Sequence, residues 1–548
     1  MANIKNFILS GALLMAGGLL GTSCNDWLEL GPIDSFGSEN YWKTEANVES
    51  YIDGIHKHVR DVYWERTIVF GEQRAGTFIN GLTCDGSSAY WGDVVGQNFD
   101  QDHTGVSNFA SYYGRITNIN LLLARIDNVN MNEDKKNYYK GIAHGLRAAL
   151  YFDLHRIFGG VPLREGVEVI DGELDPIKLY MARATPKATL DFVKADIAAS
   201  LQCFGNQNGF NPYGHGAKCY WSKAATEALA ADVYLWSGKA KLNGYLTPNA
   251  EDLKTAKQHL ENLKNNYGLK LMDNFASVFD AKASAKTSNT ETIFVIHFAE
   301  GEATNSNAYW TYSCDTGSTQ ANSFREDGSK WNDPLGLKKG NYMAAEYKKG
   351  VYNMFDEADT RKDATFLANY RKDENGDLYV NGTHVVKNIG YINSNGDRVY
   401  CGDYINYRLA WVYLSLAEIA NYQDDAKGVE DNINIIRKRA YGTAWDPAIY
   451  GYKAGSFAEN ELAILNEKTK EFIQEGQRWY DLIRMTSTKN GDPLVFDVKA
   501  SFETFPILDK ATEKHKILWP INKDVMSNDS TILQTPGYGA GSQKECPW

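Results

Sequence analysis

Apolar positions recur three and four apart over most of this chain and lose that period in two stretches. The periodic stretches predict helices at 41–62, 105–128, 133–158, 185–203, 221–242, 249–265, 404–422, 431–440 and 465–485. Several come as antiparallel pairs. In 133–158 the positions Ala143, Leu146, Ala149, Leu150, Leu154 and Ile157 share one face, and Gly159-Gly160 supplies a stop before Pro162. The small residues among them let a second helix approach closely. Residues 221–242 mix small and large apolar residues in the same way, which resembles the knob pattern of tetratricopeptide helices without their 34-residue consensus. Each pair is too thin to bury its own face, so the expectation is a mainly α chain of helix hairpins stacked into a curved scaffold.

The period fails first at 66–103, where Gly, Ser, Thr and Asp gather around Arg74, Cys84, Tyr90 and Trp91. It fails again at 275–400, where Thr292 to Phe298 reads as a strand and Glu374-Asn375-Gly376-Asp377 and Asn395-Gly396-Asp397 read as hairpin turns. These two regions are expected to be loops and short strands decorating the helices. The alternation Asp373, Asn375, Asp377 lacks the glycine and the closing glutamate of a calcium loop, and is read as a turn.

The stretch 465–485, LNEKTKEFIQEGQRWYDLIRM, reads as one packed helix with Leu465, Phe472, Ile473, Trp479, Tyr480 and Ile483 on its buried stripe. Glu475, Arg478, Asp481 and Arg484 follow at i,i+3, a spacing for a structural charge ladder. Gly476 lies on the buried stripe, where its return is close approach by another backbone.

Composition narrows the class. Fifty-seven basic against 69 acidic residues, a net charge of −12 and no long basic block make nucleic acid a poor partner. With 33 Tyr, 23 Phe and 13 Trp in 548 residues, a disordered scaffold is excluded. Lys5, the apolar run Phe7 to Leu20 and Gly21-Thr22-Ser23-Cys24 make an export signal too short to span a membrane, with a relaxed lipobox ending at Cys24. The other six cysteines have neither CxxC nor histidine at ligand spacing, so no metal is expected; Cys203 and Cys219, flanking a Gly-rich turn, are the pair singled out for a disulfide. His144 and His155 are read as packing or surface residues. No HExxH, G-x-S-x-G or Walker loop is present, and no cofactor is implied. Glu418, Glu475 and Asp481 fall on packed helices, where ion pairing explains them better than a glycosidase pair.

EGQRWYDLIRM resembles the late helical motif of the RagB/SusD family, glycan-binding lipoproteins of Gram-negative bacteria. Other segments resemble the family in order: the start at Cys24-Asn25-Asp26-Trp27, Tyr151-Phe152-Asp153-Leu154 with Gly159-Gly160-Val161-Pro162-Leu163, the pair around YINYRLAWVYLSLAEIANY and DNINIIRKRA, and the close at Leu518-Trp519-Pro520-Ile521 and Gln534-Thr535-Pro536-Gly537-Tyr538. Thr535 stands where the family has Asn. The resemblance implies a SusD-like α/α fold: a signal peptide at 1–23, an N-terminal helical region at 24–270 and a C-terminal region at 271–548, packed as one body. It implies a lipid anchor at Cys24, an outer-membrane and surface location, and an oligo- or polysaccharide ligand passed to a SusC-type TonB-dependent transporter. It also implies a glycan site built from the early loop and the middle insertion, where Arg74, Tyr90 and Trp91 and then Tyr309, Trp310, Tyr312 and Trp331 supply stacking faces and planar donors. Any one of these aromatics can instead be packed loop; the expectation is that at least one of Trp91, Trp310 and Trp331 touches ligand. An exported glycoside-active enzyme is the rival reading.

Overall fold

The computed structural model describes residues 41–89, 91–104, 109–167, 176–210, 212–214, 217–281, 288–305, 321–338, 343–539, 541 and 544–548. Helix α1 (Glu45–Ile68) runs without interruption into a π-helical segment, Val69–Thr77. The first part of the region expected to be loop is therefore helical, and only its remainder, with the short α2 (Gly92–Val95), is irregular. Then follow α3 (Ala110–Arg125), α4 (Glu133–Phe158), α5 (Pro186–Phe204), α6 (Lys223–Lys239) and α7 (Asp252–Asn266), close to the predicted ranges. Their starts are chemically marked: Asn132, Thr185 and Ser222 each cap the following helix by accepting a backbone N–H three residues on.

The helices stack in sequence, α1 on α3, α3 on α4, α4 on α5, α5 on α6 and α6 on α7. The small-residue face of α4 does what its composition suggests. A Cβ added to Gly145 would lie 2.0 Å from the indole Nε1 of Trp221, so only glycine admits that ring, whose N–H donates to Thr226 at 2.8 Å.

The middle region carries β1 (Thr292–Ile296), α8 (Lys349–Tyr352), α9 (Arg361–Thr365), the hairpin β2 (Phe366–Lys372) with β3 (Leu378–Val385), and the small hairpin β4 (Tyr391–Ile392) with β5 (Arg398–Val399). Both expected turns close these hairpins; Asp373 Oδ1 accepts the N–H groups of Asn375 and Asp377 at 2.8 and 2.9 Å. Residues 404–408 depart from the helix predicted there. They form β6 (Tyr404–Arg408), antiparallel to β1 with Ile296 opposite Tyr404 and Val295 opposite Ile405, and the chain turns helical only at α10 (Leu409–Tyr422). The short run, Tyr-Ile-Asn-Tyr-Arg, is buried throughout, a pattern that strand and helix share.

Helices α11 (Ala426–Tyr441), α12 (Phe457–Glu471) and α13 (Arg478–Arg484) complete the scaffold, with α10 packed on α7, α11 and α12. The stretch read as one helix is thus two helices with a break at 472–477. Gln474 and Gly476 there adopt φ of 63° and 67°. The charge ladder dissolves with it. Asp481 pairs with Arg484 as expected, but Glu475 turns to Arg408 and Lys387, and Arg478 donates to Thr469 and to the carbonyls of Ala75 and Ala500.

Two further expectations meet the structure. Cys203 and Cys219 are thiols, not a disulfide: Cys203 closes α5 near Lys140 and Asp127, while Cys219 packs with Val278, Val295 and Ile405. His144 pairs with Asp196 at 2.8 Å, and the buried His155 accepts the indole N–H of Trp236 at 3.1 Å, both packing roles.

Candidate functional site

The π segment is where the early loop is anchored. Its backbone passes so close to the break after α12 that a Cβ on Gly71 would lie 2.0 Å from the carbonyl oxygen of Gly476. The close approach expected at Gly476 is real, and its partner is another glycine. Glu72, one residue on, accepts the N–H groups of Gln474 and Gly476 at 2.9 and 3.1 Å and the hydroxyl of Tyr347 at 2.5 Å. Burial raises its pKa, and those three donors oppose the rise.

Arg74 is buried. It is 2% exposed, with its guanidinium 3.7 Å above the Trp479 ring and 4.8 and 4.9 Å from the Phe99 and Trp519 rings. Its Nε and Nη2 donate to Gln97 Oε1 at 3.2 and 3.0 Å, and Nη2 also donates to the carbonyl of Lys516. Burial lowers its pKa to about 9. The expectation of a ligand-binding arginine is corrected: this is a cation held in an aromatic box, tying the early segment to the last quarter of the chain.

Trp331 is corrected for the same reason. It is 1% exposed, packed with Leu335 and lying 5.3 Å from the His384 ring, so it is core of the middle region. Tyr90, Tyr309, Trp310, Tyr312 and Cys24 lie outside the described residues.

Trp91 stands apart. It is half-buried against the main core and holds the left-handed conformation, φ 55° and ψ 36°, while its carbonyl accepts the N–H groups of Val94 and Val95 that open α2. A bulky residue in that region costs on the order of 1 to 3 kcal/mol and persists where surrounding structure imposes it, commonly at ligand clamps.

The structure also brings the two nominated regions together. The Cys84 N–H donates to Glu346 Oε2 at 2.6 Å and the Thr383 N–H to Glu346 Oε1 at 3.3 Å. Asp85 Oδ2 accepts the Met343 N–H at 3.0 Å, Asn381 donates to the Cys84 carbonyl at 3.2 Å, and the Phe78 and Tyr347 rings pack at 4.2 Å. Burial pushes the Glu346 carboxyl up to about 7 against the pull of those donated hydrogen bonds. Glu346 and Asp85 in loops and Asn381 on β3 escaped the sequence reading because single carboxylates and amides carry no spacing signal. Tyr379, on β3 beside this junction and 44% exposed, is an aromatic it also passed over.

The carboxylates weighed for catalysis are neutralised in the interior. Glu418 contacts Arg484, Lys239 and Lys468 at 2.8 to 3.1 Å, and although burial alone would raise its pKa, these cations hold it well below the ordinary value. Asp481 is shared by Arg484 and Lys468, and Glu475 by Arg408 and Lys387.

A scaffold of stacked helix hairpins with a loop junction on it has close relatives. A SusD superfamily protein from Bacteroides fragilis superposes with a TM-score of 0.86 at 53% identity, over 91% of this chain and 100% of that one. The chain belongs to the SusD family. The SusD family model matches residues 402–538, and a second model, described as starch-binding associating with outer membrane, matches residues 26–235. NanU of B. fragilis superposes with a TM-score of 0.79 at 29% identity over 93% of this chain and 100% of that one. SusD-like protein P2 of Formosa agariphila is 25% identical over 474 residues, 84% of this chain and 88% of that protein. This SusD-like chain thus carries the fold of a glycan-binding family described as associated with the outer membrane. Among the described residues no helix is long and apolar enough to cross a membrane.

Proposed function

We propose that this chain is a surface lipoprotein, anchored through Cys24, that binds an oligo- or polysaccharide at the junction of its early loop and middle region and delivers it to a SusC-type TonB-dependent transporter. Binding, without a catalytic step, is its task, and 24–270 and 271–548 act as one body. The observation that carries the reading is Trp91, a half-buried indole in left-handed backbone on the same early loop as Cys84 and Asp85 of that junction, in a chain of a glycan-binding family. Flat rings bury the apolar faces of sugars at small entropic cost. Tyr90, Tyr309, Trp310 and Tyr312 are assigned to the same site by their place in the two regions, and Tyr379 joins them by its exposure.

The test is a glycan array followed by calorimetry on the mature protein, with Trp91→Ala beside wild type. The variant is expected to keep its melting temperature within a few degrees and to lose about 1 to 3 kcal/mol of binding free energy. Unchanged affinity removes Trp91 from the site. Release of reducing sugar by the purified protein overturns the binding-only reading in favour of a glycoside-active enzyme.

A further inference from the structure

A cleft of about 400 Å³ lies between α1 and β1, within the range of roughly 300 to 1,000 Å³ usual for small-ligand pockets. It is separate from the Trp91 junction: Arg60, its last residue on α1, precedes the π segment by roughly two and a half helical turns. Asp53, His56, Lys57 and Arg60 enter it from one face of α1, at i, i+3, i+4 and i+7. Strand residues Phe294 to Ile296 provide an apolar wall, and His297 and Glu302 stand at the edge.

We infer that this cleft is a second saccharide subsite, taking one or a few rings of a neutral sugar chain. Three features carry the inference. Tyr220 lines the cleft with its ring stacked on His56, centroids 4.2 Å apart and planes at 28°. That histidine is itself fixed, its Nδ1 donating to the Ile52 carbonyl at 2.9 Å and its Nε2 accepting the Trp221 N–H at 3.0 Å, so the tyrosine rests on an immobile support. A ring held this way is a stacking platform formed before any ligand arrives.

Second, the polar groups around it are planar and oriented by one another. Arg60 Nη1 donates to Glu302 Oε1 at 2.6 Å and to the His297 carbonyl at 3.2 Å, and the His297 ring pairs with Asp403 at 2.8 Å. Fixed donors and acceptors at the edge of an aromatic face match the hydroxyl rim of a pyranose. Third, charge is balanced: Lys57 and Arg60 face Asp53 and Glu302, so no net field favours a carboxylated or sulfated ligand. Neutral polyhydroxyl chemistry is what remains.

The inference rests on the saccharide-binding reading above, and its test separates the two. The mature chain is incubated with maltohexaose, laminarihexaose, mannohexaose, xylohexaose and, as the charged control, oligogalacturonate, and read by hydrogen–deuterium exchange and calorimetry. At least one neutral hexaose is expected to protect 52–60, 219–221 and 292–297. Tyr220→Ala and the surface double variant Asp53→Ala/Lys57→Ala are each expected to abolish that protection and weaken binding about tenfold with unchanged melting temperature. Trp91→Ala is expected to leave the cleft's protection in place. Should Tyr220→Ala fail to fold, the double variant decides alone. A sugar that binds without protecting these segments overturns the subsite and leaves the proposed function standing. Protection by oligogalacturonate alone overturns the neutral class. If none of these sugars binds, the experiment is repeated with the best ligand of the glycan array; binding of that ligand without protection of these segments overturns the subsite, while an array with no binder overturns subsite and function together.

Discussion

Tryptophans of one composition divide by burial into three roles. Trp331 sits at 1% exposure, so Trp331→Ala should cost about 3 to 5 kcal/mol and lower the denaturation midpoint, although its Gly- and Asp-rich neighbourhood suggests a surface ring. Trp479→Ala should cost at least as much, because it also removes the ring against which the Arg74 guanidinium lies at 3.7 Å and leaves a buried cation without its principal face. Urea unfolding of both against Trp91→Ala checks the division; equal midpoints for all three would contradict it. Arg74 shows why residue type alone misleads. A guanidinium can serve sugar hydroxyls or an aromatic box, and only its surroundings choose.

At the scale of elements, the junction between the early loop and the middle region turns on one carboxyl. Glu346 has its pKa raised to about 7 from an ordinary 4.5, with burial the main cause. A carboxyl raised on folding binds more protons in the native than in the unfolded state between those two values, so it makes stability fall as pH rises from about 4.5 to about 7. Glu346→Gln should flatten that part of the stability curve, measured by chemical denaturation at fixed pH steps. A curve identical to wild type would mean that the carboxyl titrates normally. The break between α12 and α13 belongs to this scale too. It frees Glu475 to reach Arg408, and it points the N–H groups of Gln474 and Gly476 at Glu72, contacts that an unbroken helix would forbid.

Across the whole molecule, a buried ionic network joins elements far apart in sequence. Arg408, at the end of β6, contacts Glu291, Glu471 and Glu475 at 2.6 to 2.9 Å, and Glu471 in turn meets Arg439 and Arg361. Arg361, Arg408 and Arg439 gather on Glu471, which they hold at low pKa although burial alone would raise it. Removing one partner from such a set strands the others, so Arg408→Met should cost about 3 to 5 kcal/mol and shift one cooperative transition instead of splitting it. A biphasic melt would show that the network is local. At the N-terminus, Cys24→Ala should abolish acylation in intact-mass spectra and release the protein from membranes; retention without a transporter present would sink the anchor.

Helix content, hairpin order and the two loop-bearing regions were legible from the chain itself, because a 3.6-residue apolar period is a local property that burial of one face demands. Family membership was legible because segments such as EGQRWYDLIRM resemble the family's motifs in sequence and in order. Conformation at short buried runs was not legible. The short buried segment 404–408 satisfies strand and helix equally, and β1 decided it by offering a partner edge. The break at 472–477 was hidden because Gly476 sits on the helical stripe, and the groups that hold that backbone out of the helix, Gly71 and Glu72 from some 400 residues away and Lys387, are distant in sequence. Burial of Arg74 and Trp331, the exposure of Tyr379 and the cleft beneath Tyr220 are likewise products of tertiary contact. Periodicity measures which side of an element is apolar, whereas accessibility of a single ring or charge depends on what distant chain is laid over it.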